Sequence, residues 1–361
     1  MKAALHVGVD SPLLIEEVTL REPGPGEVVV EMNAVAVCVT DVLATEGLTL
    51  VPPPFITGHA GTGIVRAVGP GVTRTRTGDR IATAGSAECN LCYPCLQGTP
   101  SSCDEIFGGM VPPREVGVRS DGTAVYVDGG VGALAEFMVL RESGIVTIDA
   151  DISIEQASVL GCGVISGLGA VFNVAGVQPG WSVAIVGCGH LGLWMVQAAR
   201  VAGARTIIAM EWDPVRRALA ADLGATHLVD PADGDPVQQV KELTGGRGVD
   251  AALEAGGTTL AAEQAFAMAR GGGVVVPTSM AQPADSITLN ALDFGVGAKR
   301  ISSSQTGGGY LKRDIPLYAS MLENGIIDST HIISKTFSLD EVNAAFSAAR
   351  NKEVITGVVR F

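Results

Sequence analysis

Two patterns of hydrophobic and polar positions divide the chain. Up to about residue 150, apolar residues fall in short alternating runs such as "GEVVVEMNAVAV" and "TGIVRAVGPGV", broken by Gly and Pro, which predicts a β-rich fold. After "LGCGVISGLGAVFNVAGVQPG", strand-length apolar runs alternate with stretches of helical spacing. "WSVAIVG", "RTIIAME", "THLVD", "VDAALEAGG" and "GGVVVPTS" read as strands. "HLGLWMVQAARVAGA", "VRRALAADLG", "DPVQQVKELTG" and "LAAEQAFAMARG" read as helices between them. Asp213–Pro214 has the form of an N-cap followed by proline at the first helical position. Such βα alternation predicts an α/β unit with a parallel, doubly wound sheet. From about residue 301 the alternation fades, and "EVITGVVRF" is the last strand-like run.

Composition narrows the picture. A chain of 361 residues is expected to form two domains. No apolar run approaches the roughly 18 residues of a membrane span. The net charge of −14 is spread along the chain and argues against nucleic acid or an anionic membrane as partner. No apolar leader follows Met1–Lys2, so the expectation is a soluble cytoplasmic protein.

The strand "SVAIVG" runs into "GCGHLG", which places Gly187, Gly189 and Gly192 at G-x-G-x-x-G spacing with His190 and Leu191 inside the loop. A glycine turn in a nucleotide-free domain would be the plainer reading. Here, however, the triplet follows a strand, opens a helix, and is answered nineteen residues after Gly192 by Glu211 at a strand end. That context suits a dinucleotide: tight turn, close approach to pyrophosphate, and helix N-terminus. Glu211 would accept hydrogen bonds from ribose and repel a 2′-phosphate, which favours NAD(H) over NADP(H).

Cys89, Cys92, Cys95 and Cys103 crowd into fifteen residues, four of the chain's seven cysteines. Disulfides or a metal would account for them; the spacing and the absence of a leader favour a closed structural Zn²⁺ site. A second constellation comprises Cys38 in "CVTD", His59 in "GHA" and Cys162 in "GCGV". Two thiolates and one imidazole leave a fourth position for water or substrate, the form of a catalytic zinc site.

Through "CVTD", "GHAGTGIVRAVGPGV", "GDRI", the cysteine lobe, "GCGVISGLGA", "VGCGHLG" and "LGATH" the chain resembles, over essentially its whole length, the zinc-dependent alcohol dehydrogenases of the medium-chain dehydrogenase/reductase superfamily. It is similar in particular to the class III and mycothiol-dependent formaldehyde dehydrogenase branch. The resemblance implies a GroES-like catalytic domain at 1–163, a Rossmann NAD-binding domain at 164–300, and a C-terminal return at 301–361, with the active site in the cleft between domains. It implies two zinc ions per chain, one held by Cys38, His59 and Cys162, the other by Cys89, Cys92, Cys95 and Cys103. Asp41 would orient His59, Thr40 would take the substrate hydroxyl's proton, and Arg216 would lie beside the adenosine ribose. A homodimer paired through the coenzyme domains is expected.

The departures from the family pattern matter as much. Ala60 stands where Glu commonly follows the motif histidine, and Leu43 where many members carry a relay histidine. Val39 and Thr356 replace two cations that usually meet the pyrophosphate, and His190 is a candidate compensating donor or a packing residue. Gly85 replaces a bulky pocket wall. The expectation is an NAD(H)-dependent oxidoreductase interconverting an alcohol and an aldehyde or ketone, with an atypical proton relay. Reduction of an activated C=C or C=N bond, or a non-catalytic relative, are the alternatives.

Overall fold

The computed structural model describes every residue except 10, 50, 84–86, 106–112, 129 and 280–283. It divides into two compact units, the first formed by Met1–Cys162, Tyr310–Gly325 and Ser329–Phe361, the second by Gly163–Gly309 and Ile326–Asp328. Gly85 lies outside the described residues.

The first unit is built from β1 (Lys2–His6), β2 (Leu14–Leu20), β3 (Glu27–Val37), β4 (Phe55–Ile56) and β5 (Ala60–Val68), then β6 (Arg80–Thr83), β7 (Arg114–Arg119), β8 (Ala124–Val127), β9 (Phe137–Arg141) and β10 (Ile145–Thr147). Strands β1, β2, β7, β8 and β4 close a barrel. The run "EVVVEMNAVAV" forms β3, which pairs with β5 along one edge. Its other edge carries β9 and then a C-terminal strand described below. Val28, Val30 and Met32 alternate into the core, where they meet Val65, Ile81, Met138 and Leu140. This period of two is what the sequence pattern predicts.

Two short helices, α1 (Val39–Thr45) and α2 (Tyr93–Leu96), interrupt these strands. Next comes a helical stretch through α3 (Ile154–Ser158) and α4 (Ile165–Gly169), with π-helical turns at Leu160–Val164 and Ala170–Ala175. The sequence pattern did not reveal it.

The second unit carries the expected alternation. Its strands are β11 (Ser182–Val186), β12 (Thr206–Met210), β13 (His227–Val229), β14 (Val249–Glu254), β15 (Ala269–Pro277) and β16 (Arg300–Ile301). They form one parallel sheet in the order β13-β12-β11-β14-β15-β16. Helices α5 (His190–Val201), α6 (Pro214–Asp222), α7 (Pro236–Leu243), α8 (Thr259–Met268) and α9 (Ala291–Gly295) complete the unit. Asp213 caps α6 by accepting from the Val215 and Arg216 amides, with Pro214 at the first helical position. Asp235 and Pro236 repeat the device on α7. One face of the sheet is sealed by Val186, Ile208, Val229, Val240, Ala252, Phe266 and Val275.

Beyond residue 301, where the pattern fades, the chain forms α10 (Leu311–Glu323), β17 (Ile333–Ser338), α11 (Val342–Arg350) and β18 (Thr356–Arg360). Strand β18 lies between β3 and β17 and so completes the sheet of the first unit.

Candidate functional site

Cys38 is the N-cap of α1, directly after the long strand β3. Asp41, in the first turn, folds back so that its Oδ2 accepts from the Cys38 amide at 3.0 Å. Its Oδ1 accepts from the Gly58 amide at 3.2 Å and lies 2.8 Å from His59 Nδ1. A carboxylate only accepts, so His59 Nδ1 carries the hydrogen and Nε2 is left as the nitrogen that could hold a metal. Cys162 arrives from the π-helical turn, a geometry that recurs at functional sites. Gly161 makes that approach possible, because a Cβ there would overlap the Thr83 carbonyl. Thr83 also donates to the His59 carbonyl at 2.9 Å and accepts from the Gly61 amide at 2.8 Å. Thr83 and Gly161 thus brace the two ligand-bearing segments, a role no sequence motif announces.

The three donor atoms of Cys38, His59 and Cys162 lie within 4.8 Å of one another. Their side chains are poorly suited to one another without a cation. Burial alone would lower the His59 pKa, yet the Asp41 carboxylate and Cys162 hold it well above the usual histidine range. The hydrogen bond with Cys38, reinforced by burial, pushes the Cys162 thiol well up. Two thiolates and a neutral imidazole together are unfavourable there until a divalent cation compensates the charge. The two sulfurs are 3.8 Å apart, against about 2.05 Å in a disulfide. Two bonds of about 2.3 Å at the tetrahedral angle span roughly 3.8 Å. The donor set therefore fits zinc, and Thr40 Oγ1 lies 3.6 Å from Cys38 Sγ beside it.

The four-cysteine lobe passes the same test. Cys89 and Cys95 sulfurs are 4.0 Å apart, and Cys92 and Cys103 sulfurs 3.9 Å. All four donors lie within 4.8 Å of one another, and none is in a disulfide. The Leu91 and Cys92 amides point at Cys89 Sγ from 3.4 and 3.3 Å, and the Cys89 amide at Cys103 Sγ from 3.4 Å. Amide donors aimed at sulfur favour thiolates.

In the second unit, the glycine loop joins β11 to α5. Gly187 has φ +92°, and a Cβ on it would sit 2.8 Å from Gly256 Cα, so only glycine serves there. A Cβ on Gly192 would overlap the Gly187 carbonyl, so α5 packs directly on the loop. Glu211, just past β12, turns its Oε2 to the Cys188 amide at 2.7 Å and its Oε1 to the Asp213 amide at 3.0 Å. Arg216 Nη1 lies 3.7 Å from the direction a Gly189 Cβ would take. Acid, cation and glycine loop therefore converge. The His190 ring packs on Gly163, where any Cβ would overlap it. Leu191 follows in the first turn of α5 and is half-buried.

Among the positions that depart from the pattern, Ala60 is fully buried at the start of β5. Val39 is exposed, and Leu43 is half-buried on α1. Thr356 is only 1% exposed in β18, and its short side chain cannot reach out as an arginine would.

The sequence as a whole decides the family. A model for the alcohol dehydrogenase GroES-like domain matches residues 24–150, and one for zinc-binding dehydrogenases matches residues 191–324. The chain is 33% identical to S-(hydroxymethyl)glutathione dehydrogenase of a Synechocystis species, with 100% of this chain and 99% of that protein covered. The chain belongs to the zinc-binding alcohol dehydrogenase family. A putative alcohol dehydrogenase D of Mycobacterium tuberculosis is 32% identical over 99% of this chain and 98% of its own. In three dimensions, the benzyl alcohol dehydrogenase of Acinetobacter calcoaceticus superposes with a TM-score of 0.93 at 29% identity, covering 100% of this chain and 99% of the other. A zinc-binding alcohol dehydrogenase domain protein of Burkholderia ambifaria gives 0.94 at 28% identity, covering 100% and 98%. The family is one of oxidoreductases, and the α/β fold with GroES-like and Rossmann parts is shared with these neighbours.

Proposed function

We propose that this member of the family binds two zinc ions and NAD(H) and interconverts an alcohol with an aldehyde or ketone by hydride transfer. The observation that carries the reading is the meeting of Cys38, His59 and Cys162 with Thr40 beside them. Zinc bound by that set would act as a Lewis acid toward the substrate oxygen. Asp41 locks the His59 tautomer and ring orientation, which keeps Nε2 available for the metal. Thr40 Oγ1 receives the proton that an alcohol substrate gives up. The next titrating residue of the usual relay is missing, because Leu43 and Ala60 carry nothing that accepts a proton. From Thr40 the proton therefore passes to water.

Cys89, Cys92, Cys95 and Cys103 would hold the second zinc, which leaves no open coordination position and serves the fold alone. Glu211 favours NAD(H), since its carboxylate would oppose a 2′-phosphate, and Arg216 offers its charge beside the loop. The edge strand β16 and the exposed Leu292, Phe294 and Val296 support a homodimer joined through the coenzyme unit. None of the seven cysteines, all among the described residues, forms a disulfide, which suits the reducing cytoplasm. No described helix is long and apolar enough to cross a membrane.

Elemental analysis with an NADH absorbance assay on an alcohol and aldehyde panel tests this. The wild type should hold about two zinc ions, and Cys162→Ser should retain the structural ion and lose turnover. A metal-loaded protein that turns over no alcohol or carbonyl with either coenzyme would refute the reading.

A further inference from the structure

Three candidate metal donors reach one point from positions 38, 59 and 162 of the chain. The two sulfurs do not hold that arrangement by themselves, since as thiolates they repel. Three separate segments need at least two ties to fix their relative places. Asp41 is one tie. Its carboxylate takes the Cys38 amide and the His59 ring nitrogen at once, and so fixes the first donor against the second. The other tie, between His59 and Cys162, is found at Thr83.

Thr83 ends β6 and is fully buried. The pairing of β5 with β6 stops one position earlier, at Thr62 opposite Ala82. The backbone of Thr83 instead stands opposite Ile145 of β10. Its side chain, not the ladder, continues the link to β5. Thr83 Oγ1 donates to the His59 carbonyl at 2.9 Å and accepts from the Gly61 amide at 2.8 Å. A hydroxyl has one donor hydrogen and spare lone pairs, so a single atom serves the main-chain groups on both sides of Ala60.

The carbonyl of the same residue faces the Cys162 segment. A Cβ on Gly161 would overlap that oxygen, so the π-helical turn that carries Cys162 rests directly on Thr83. Hydroxyl to one segment and carbonyl to the other, Thr83 spans the two. Removing the hydroxyl would take the partner from a buried amide and from the carbonyl of the donor residue itself. Buried main-chain groups that lose a partner turn toward another, and His59 would turn with them.

We propose that Thr83 is a positioning residue of the three-donor site, whose hydroxyl places His59 relative to Cys162 and thereby sets the affinity of that site for its metal. This rests on the reading of Cys38, His59 and Cys162 as a zinc site and names the group, besides Asp41, on which its geometry depends.

The probes are zinc and cobalt. Wild type is compared with Thr83→Val, which keeps the shape and drops the hydroxyl, and with Thr83→Ser, which keeps the hydroxyl. Each is purified zinc-loaded and titrated with a chromophoric chelator. Cys162→Ser, which lacks the three-donor site, marks the release that belongs to the four-cysteine lobe. Thr83→Val should hold zinc at the three-donor site roughly ten- to hundredfold more weakly, release lobe zinc as wild type does, and Thr83→Ser should recover most of the affinity. With cobalt in the three-donor site, the d–d bands report coordination geometry; they should shift in Thr83→Val and match wild type in Thr83→Ser. Unchanged zinc affinity in Thr83→Val overturns the proposal, and so does a loss with unchanged cobalt bands. An equal loss at both sites would report a general loosening and overturns it too, as does a Thr83→Ser variant no better than Thr83→Val. If wild type holds zinc at the lobe alone, the three-donor reading itself fails. Should Thr83→Val not fold, Thr83→Ala takes its place; if neither folds with lobe zinc bound, the hydroxyl serves the fold rather than the site, and the proposal falls.

Discussion

Thr40 and Leu43 lie three positions apart on α1 and so share one face of that helix. A proton taken up at Thr40 Oγ1 would therefore meet the side chain at position 43 next, and there it finds a hydrocarbon. General acid–base groups are worth about 10²–10⁴-fold in rate. Oxidation of simple alcohols should consequently be slow at neutrality and climb with pH, because hydroxide replaces the missing acceptor. Leu43→His should raise the neutral rate about tenfold or more and flatten that climb, while Thr40→Ala should remove most of the activity at every pH. Steady-state rates across a pH series check this. A flat wild-type profile, with Leu43→His no faster, would mean the proton leaves by another route. Residues of this kind were readable from the sequence because the motif fixes their spacing to Cys38. Thr83 and Gly161 were not, since their importance comes from a close approach between segments far apart in the chain.

Among elements, the cysteine lobe has a partner that its spacing does not disclose. Buried Glu88 accepts from the Leu311 and Lys312 amides at 3.1 and 3.4 Å, which satisfies the open N-terminus of α10. The Tyr310 hydroxyl donates to the Cys95 carbonyl at 3.3 Å. Metal bound at the lobe would thus support a helix more than two hundred residues later in the chain. Glu88→Gln should keep the structural zinc while costing about 1–3 kcal/mol. Cys95→Ser should lose the ion and expose the first turn of α10 to amide exchange, as measured by hydrogen–deuterium mass spectrometry. If α10 stays equally protected in both, the lobe and the helix are independent. The sequence hid α10 because Pro316 interrupts its interior. It hid the helical stretch around Cys162 because Gly161, Gly163, Gly167 and Gly169 read as a loop. Each of those glycines instead admits a close neighbour, such as Trp194 against Gly167. In the second unit β11 to β15 and α5 to α8 were legible, since apolar period and capping signals agree there.

At the scale of the whole molecule, net charge and local pairing make opposite statements about acid. With −14 charges and a pI near 4.8, acidification from neutrality relieves self-repulsion and should stabilise. Two carboxylates, one in each unit, oppose this. Glu27 accepts from both terminal nitrogens of Arg21 at 2.6 and 2.7 Å and from the Gly24 amide at 2.8 Å, and that pairing, chiefly with Arg21, lowers its pKa. Burial would raise the Asp250 pKa, but the Ser182 amide and hydroxyl and the Arg270 guanidinium bring it below the usual range. A carboxyl whose folded pKa is depressed binds fewer protons folded than unfolded. Its stabilisation is therefore complete above the unfolded value, about 4 for Asp and Glu, and is lost as pH falls below it. Stability should thus hold or rise slightly from pH 7 to about 5 and fall below about 4. Glu27→Gln and Asp250→Asn should each cost about 1–3 kcal/mol at pH 7 and soften the acid decline relative to wild type. Metal loss in acid is common to all three proteins and cancels in that difference. The two changes sit in separate units without shared partners, so their costs should add. Urea unfolding of wild type, single and double variants at pH 7 and below pH 4 measures all of this. Single variants as stable as wild type at pH 7 would show that these pairs merely decorate the fold, and acid sensitivity would then belong to the metal sites alone.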